Sequence, residues 1–99
     1  MQATLTVNDG RALIELEGNF TYEAHREFKQ TTTNAIAAPG ITLIEIDFDK
    51  VGYMDSAALG MLLLLNERAA GRKVVLTNCR GTVRTVLDIA NFSKIFEIR

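Results

Sequence analysis

A polar turn that becomes an apolar helix, Tyr53-Met54-Asp55-Ser56-Ala57-Ala58-Leu59-Gly60-Met61-Leu62-Leu63-Leu64-Leu65, constrains this chain more than any other stretch. Ala, Leu and Met lose little side-chain freedom in a helix, and a run this apolar gains most by burial against a larger surface. Asp55 or Ser56 stands where an N-cap belongs, with an oxygen able to accept a backbone N–H for about 1 kcal/mol. The helix reads from Ser56 to Ala70, with Gly71 closing it as the residue that takes a left-handed conformation at low cost. Its apolar part is far shorter than the ~20 residues a membrane span needs.

What precedes that helix indicates what it packs on. Leu5 and Val7, then Ala12, Ile14 and Leu16, alternate around Asn8-Asp9-Gly10, the pattern of a β-hairpin with a tight turn. After Gly18-Asn19, the residues Phe20, Ala24, Phe28 and Ala35-Ile36 recur at helical spacing, which predicts an amphipathic helix from about Tyr22 to Ala37 with Thr21 as N-cap. Thr31-Thr32-Thr33 should make that helix fray or end early, because β-branched residues lose rotamer freedom in it. Pro39-Gly40 closes it. Ile41, Leu43, Ile44, Ile46 and Phe48 form a strand dense enough in apolar residues to predict burial on both faces. Lys73-Val74-Val75-Leu76-Thr77 is a further strand. Val83, Val86, Leu87 and Ala90 mark one face of a third helix, and Ile95-Phe96-Glu97-Ile98 reads as a short last strand or an extended tail.

The order β-β-α-β-α-β-α-β predicts an α/β fold: a mixed, mainly parallel sheet with an N-terminal antiparallel hairpin strand and packed helices. At 99 residues the chain holds one domain, residues 1–99, with no room for a second core.

Composition then removes function classes. Net charge is −1, with both signs interleaved. A nucleic-acid binder would show a basic stripe, and the scatter Arg68, Arg72, Lys73, Arg80 and Arg84 reads instead as a solvated mixed face. Cys79 is the only cysteine, so there is no internal disulfide and no thiolate metal cluster. No charged start followed by an apolar segment marks a signal peptide, so the expectation is a cytoplasmic protein without membrane insertion. His25, the only histidine, sits among Glu23, Arg26 and Glu27 with no nucleophile nearby and reads as solvent-facing. Glycine-rich phosphate loops are absent. Asp47, Asp49 and Asp55 lie where α/β sheets bind ligands and read as surface carboxylates. A phospho-accepting receiver domain would also need an acidic pair after the first strand, where a hairpin turn stands. The reading is therefore of no enzyme, no catalytic residues, no cofactor and no metal.

The helix itself carries an excess. If Leu59, Leu62 and Leu63 form its buried face, then Met61, Leu64 and Leu65 lie largely off it, whereas an edge helix normally has a polar outer side. Two accounts stand side by side: neighbouring helices cover the excess, or part of it is an exposed docking patch. A serine at the head of such a patch is a possible switch. Phosphorylation would add about −1.5 to −2 charges there, tolerated by the helix N-terminus but not by an acidic partner.

Asp55-Ser56-Ala57-Ala58-Leu59-Gly60, following a strand and opening a helix, resembles the Asp-Ser-Ser-Gly-Leu-Gly signature of STAS domains, the bacterial anti-sigma factor antagonists and their relatives. The segment from Val86 to Phe96 resembles the family's closing helix-turn-strand. The resemblance implies a non-enzymatic regulator of transcription that works by partner switching. Ser56 matches the serine phosphorylated by a partner serine kinase that doubles as anti-sigma factor, and Asp55 matches the aspartate before it. The unphosphorylated form binds that partner, and a metal-dependent serine phosphatase resets the cycle. The implied contact surface comprises Asp55, Ser56, Ala57, Leu59, Gly60, Met61, Leu64 and Thr21. Ala57 replaces the motif's second serine, Ala58 its glycine, and Thr21 a loop aspartate. The alternative implied by other relatives is a constitutive docking or scaffold subunit of a signalling or lipid-transport complex.

Overall fold

The computed structural model describes residues 1–99. Its elements are β1 (Gln2–Asn8), β2 (Arg11–Glu17), α1 (His25–Ala37), β3 (Leu43–Lys50), α2 (Ser56–Arg68), β4 (Lys73–Thr77), α3 (Gly81–Ile89) and β5 (Glu97–Ile98), with short 3₁₀ turns at Tyr22–Ala24 and Phe92–Lys94. The strands form one five-stranded sheet in the order β1-β2-β3-β4-β5. β1 and β2 are antiparallel, and every later pairing is parallel. This is the predicted α/β order. The hairpin turns on Asp9 (φ 49°) and Gly10 (φ +79°), the pair of positive φ values that Asp-Gly supplies at low strain. A Cβ on Gly10 would also come within 3.2 Å of the Gly40 carbonyl.

Register explains where the core lies. Ala12 pairs with Ile44 and Ile14 with Ile46; Ile44 pairs with Val74 and Ile46 with Leu76. These residues all point to one face, because side chains alternate along a strand. Together with the buried residues of α1, α2 and α3 they form a single cluster. The opposite face carries Arg11, Leu13, Glu15, Leu43, Glu45, Asp47 and Glu97, half-buried or exposed, around the buried Val75 and Thr77. Here the expectation that the third strand is buried on both faces is corrected. Ile44, Ile46 and Phe48 are buried, whereas Leu43, Glu45 and Asp47 are only half-buried. A parallel sheet usually needs two covers; this one keeps its second face largely charged, with Val75 its one buried apolar residue and Leu13 and Leu43 half-buried. Arg11 pairs with Glu45 at 3.3 Å, Lys73 with Glu97 at 2.7 Å, and the Thr77 hydroxyl donates to Glu45 at 3.1 Å. Lys73 first, and Arg99 with it, hold the Glu97 carboxyl below its ordinary range.

Two helix expectations also change. The segment from Tyr22 opens as a 3₁₀ turn and becomes α-helical at His25. Thr21 is extended and its side chain makes no cap hydrogen bond. The threonine run does not fray. Thr32 Oγ1 donates to the Phe28 carbonyl at 2.8 Å and Thr33 Oγ1 to that of Lys29 at 2.7 Å. Thr31 and Thr32 are buried, so packing overrides propensity.

α2 ends at Arg68, and the left-handed residue just beyond its cap is Ala70 (φ 53°), followed by Gly71 (φ +88°). Alanine pays for that conformation and glycine does not. Ala70 is exposed, so Ala70→Gly is expected to raise the unfolding free energy by roughly 0.5–1 kcal/mol in urea denaturation, with Gly71→Ala lowering it by about 1 kcal/mol or more.

Candidate functional site

The carboxyl ends of the parallel strands bring two loops together. After β2 the chain runs through Phe20, and after β3 through Met54, and these two residues form an isolated parallel bridge. Phe20 N–H donates to the Tyr53 carbonyl at 2.9 Å, and Asp55 N–H to the Phe20 carbonyl at 3.2 Å. Below them the Phe20 ring is fully buried, 4.8 Å from the Phe28 ring and 6.1 Å from that of Phe48. A backbone clasp over an aromatic anchor thus sets Thr21 on the loop beside Asp55 and Ser56, although Thr21 lies far from them in sequence.

Of the two candidate caps, Asp55 takes the role. Its backbone is extended, and its carboxylate accepts the Ala58 N–H at 3.2 Å. Ser56 is then the first residue of α2. It is exposed and its hydroxyl makes no hydrogen bond within the chain, while the Ser56 and Ala57 N–H groups also lack partners. An anion attached at Ser56 would meet two free donors and the positive end of the helix dipole. Ala58, in the glycine position of the signature, does not have a positive φ and is fully buried, so its methyl group fills core space without backbone strain.

The faces of α2 differ from the expectation. Ala58, Met61, Leu62 and Leu65 are buried. Met61 and Leu65, expected off the buried face, are 6% and 1% exposed; Leu64, also expected there, is 53% exposed; Leu63, assigned to the core, is 41% exposed. At 100° per residue, Ser56, Gly60 and Leu63 form the outward line, with Leu64 on one flank and half-buried Leu59 on the other. An apolar strip therefore starts at the serine, rotated from the one the sequence indicated. Sequence reading missed Leu63 and two exposed aromatics, Tyr53 on the clasp and Tyr22 on the 3₁₀ turn. Period alone cannot orient a helix that is apolar nearly all round, and exposed aromatics look like core residues in a pattern.

The remaining candidates separate. Asp47 accepts Asn78 Nδ2 and the Asp49 N–H, both at 2.9 Å, and Asp49 pairs with Arg80. With Asp55 committed to its cap, the three aspartates serve three different structures. His25 is exposed and stacks on Tyr22. Arg72 donates to the carbonyls of Ile41 (3.2 Å) and Ala69 (2.9 Å), and Arg84 pairs with Asp88.

Cys79, just past β4, is buried, and burial pushes its thiol up to about 11. Between an ordinary thiol pKa and about 11 the unfolded chain gives up that proton while the folded one keeps it. Stability should therefore be flat below pH 9 and fall as pH rises through that window. The expected loss, read as the difference in urea stability between the wild type and Cys79→Ala, is roughly 1–2 kcal/mol by pH 11.

Residues 2–99 match the STAS domain family. A STAS-domain-containing protein of Pseudomonas aeruginosa is 38% identical over 93 residues, covering 91% of this chain and 90% of its own. Among solved structures, an anti-sigma factor antagonist from Mycobacterium paratuberculosis superposes with a TM-score of 0.88 at 15% identity, over 98% of this chain and 83% of the other. The anti-sigma factor antagonist SpoIIAA superposes in its unphosphorylated form with a TM-score of 0.74 at 22% identity, over 98% and 86%. In its phosphorylated form, from Bacillus, the values are 0.72 and 21%, over 98% and 90%. At these identities the structural likeness establishes a shared fold.

Proposed function

The chain belongs to the STAS domain family, and from that premise we propose that it is an anti-sigma factor antagonist whose α2 docks a partner serine kinase and is released when Ser56 is phosphorylated. One observation carries the reading: an exposed Ser56 with an unbonded hydroxyl heads an exposed apolar strip, because Asp55 does the capping alone. A serine that capped its own helix would have its oxygen engaged. This one is open to a kinase, and the two free N–H groups beside it can receive the phosphoryl oxygens.

The docking surface in this proposal comprises Asp55, Ser56, Ala57, Leu59, Gly60, Leu64 and Thr21, with Leu63 and Tyr53 added. Met61 leaves it, being buried. Apolar residues beside a polar rim are how transient interfaces are built, and Tyr is among the residue types that dominate them. The phosphorylated relative SpoIIAA supports a phosphorylation cycle, with a serine phosphatase of the metal-dependent class as the resetting partner. Such a protein works by binding in the cytoplasm and needs no catalytic group, metal or cofactor of its own. In this reading residues 1–99 form one STAS domain.

The test is phosphopeptide mass spectrometry of the protein isolated from its native cells across growth conditions. A phosphoryl group on Ser56, lost in Ser56→Ala and not moved to another residue, is the expected result. Unmodified Ser56 under every condition, with co-purification in fixed stoichiometry, would replace the switch by a constitutive scaffold role.

A further inference from the structure

We propose that the recess between α1 and α2 is a binding site for a small amphipathic anion, a carboxylate or phosphate monoester with a short apolar body. The recess holds about 290 Å³, close to the lower end of small-ligand pockets. At about 30 Å³ per water-sized unit it has room for roughly ten non-hydrogen atoms. Phe28 and Met61 form its floor and the half-exposed Leu64 one wall. The rim is made by His25, Lys29 and Arg68, and no carboxylate lines it.

The charges there are uncompensated. Arg11, Lys73, Arg80, Arg84 and Arg99 are each held by a carboxylate. Lys29 and Arg68, like Arg26, Lys50, Arg72 and Lys94, are not, but these two share one apolar recess; Arg68 reaches only the Thr33 hydroxyl, through one of its nitrogens. The Thr32 hydroxyl proton, at the same recess, is committed to the Phe28 carbonyl. The groove on the other side of Lys29, lined by Arg26 and Gln30 among others, also lacks an acid. In a chain of net charge −1 this is a local concentration of free donors over an apolar floor. Such a lining complements a ligand that is acceptor-rich at one end and apolar at the other. The recess shares only Leu64 with the proposed docking surface, and its rim of His25, Lys29 and Arg68 lies outside that surface; a rise of about 1.5 Å per residue puts Leu64 about 12 Å along α2 from Ser56.

The test is a ¹⁵N-NMR titration of the full chain with octanoate and octyl phosphate, against 1-octanol and octyltrimethylammonium, all below their micellar concentrations. The two anions should perturb amides of α1 and α2 saturably, with the neutral and cationic probes at least about tenfold weaker. Lys29→Glu, at an exposed position, and Arg68→Glu, at a half-buried one, should each weaken octanoate about tenfold or more with an unchanged circular dichroism spectrum; Lys94→Glu should not. Sedimentation with anionic phospholipid vesicles separates the sources. Co-sedimentation lost in Lys29→Glu identifies a lipid headgroup, and its absence beside octanoate binding identifies a soluble ligand; either upholds the site. Octanol binding as well as octanoate, perturbations centred elsewhere, or no saturable anion binding up to about 10 mM overturns it.

Discussion

Phe20→Ala is expected to lower the unfolding free energy by about 3–5 kcal/mol, the cost of emptying a fully buried aromatic site. Phe20 has no exposed surface, and its ring meets both Phe28 on α1 and Phe48 on β3. Against the roughly 5–15 kcal/mol that holds a domain of this kind, that is a large fraction. The melting temperature should fall by more than about 10 °C at roughly 4–8 °C per kcal/mol. Tyr22→Ala, at an exposed neighbouring position, should stay within about 0.5 kcal/mol. The loss should also be local. The Asp55 N–H is held by the Phe20 carbonyl, so its hydrogen exchange in Phe20→Ala should accelerate ahead of the β3 amides. Equal stability of Phe20→Ala and the wild type would mean that the clasp rests on its backbone bonds alone.

Ser56→Asp should weaken partner binding by about 100-fold, while Ser56→Ala binds as the wild type does and can no longer be switched. A new negative charge at the head of the strip faces any acidic rim of the partner. A like-charge pair at roughly 4 Å and an effective dielectric near 20 costs about 4 kcal/mol, and screening and relaxation leave about 2–3 kcal/mol, or nearly 100-fold. The fold should not register the change. Ser56 is exposed, Asp55 keeps the cap, and an acidic residue in the first turn of α2 is favoured by the helix dipole. Calorimetric titration with the partner, alongside melting curves of the three proteins, reads both effects. If Ser56→Asp binds like the wild type, the switch reading is lost. If it loses binding together with several degrees of melting temperature, the serine acts through the fold.

These two residues also show how the information is divided. Ser56 was legible because local chemistry marks it: an Asp-Ser pair between a strand and an apolar run is a helix start in any context. Phe20 was legible only as one apolar position in a helical pattern. That it leaves the helix, pairs with Met54 and anchors the second loop depends on a bridge between segments far apart in the chain.

The sequence by itself determined the hairpin, the order of strands and helices, the start of α2 and the signature at its head. Turns, caps and side-chain periods are short-range effects, settled within a few residues. Only the tertiary structure decided which face of α2 is buried, that Asp55 and not Ser56 is the cap, that the threonine run stays helical, and that the second face of the sheet is largely charged. A helix apolar on nearly every side has no preferred orientation of its own. The sheet beneath it and α1 beside it choose the face, burying Met61 and Leu65 and leaving Leu63 and Leu64 outside.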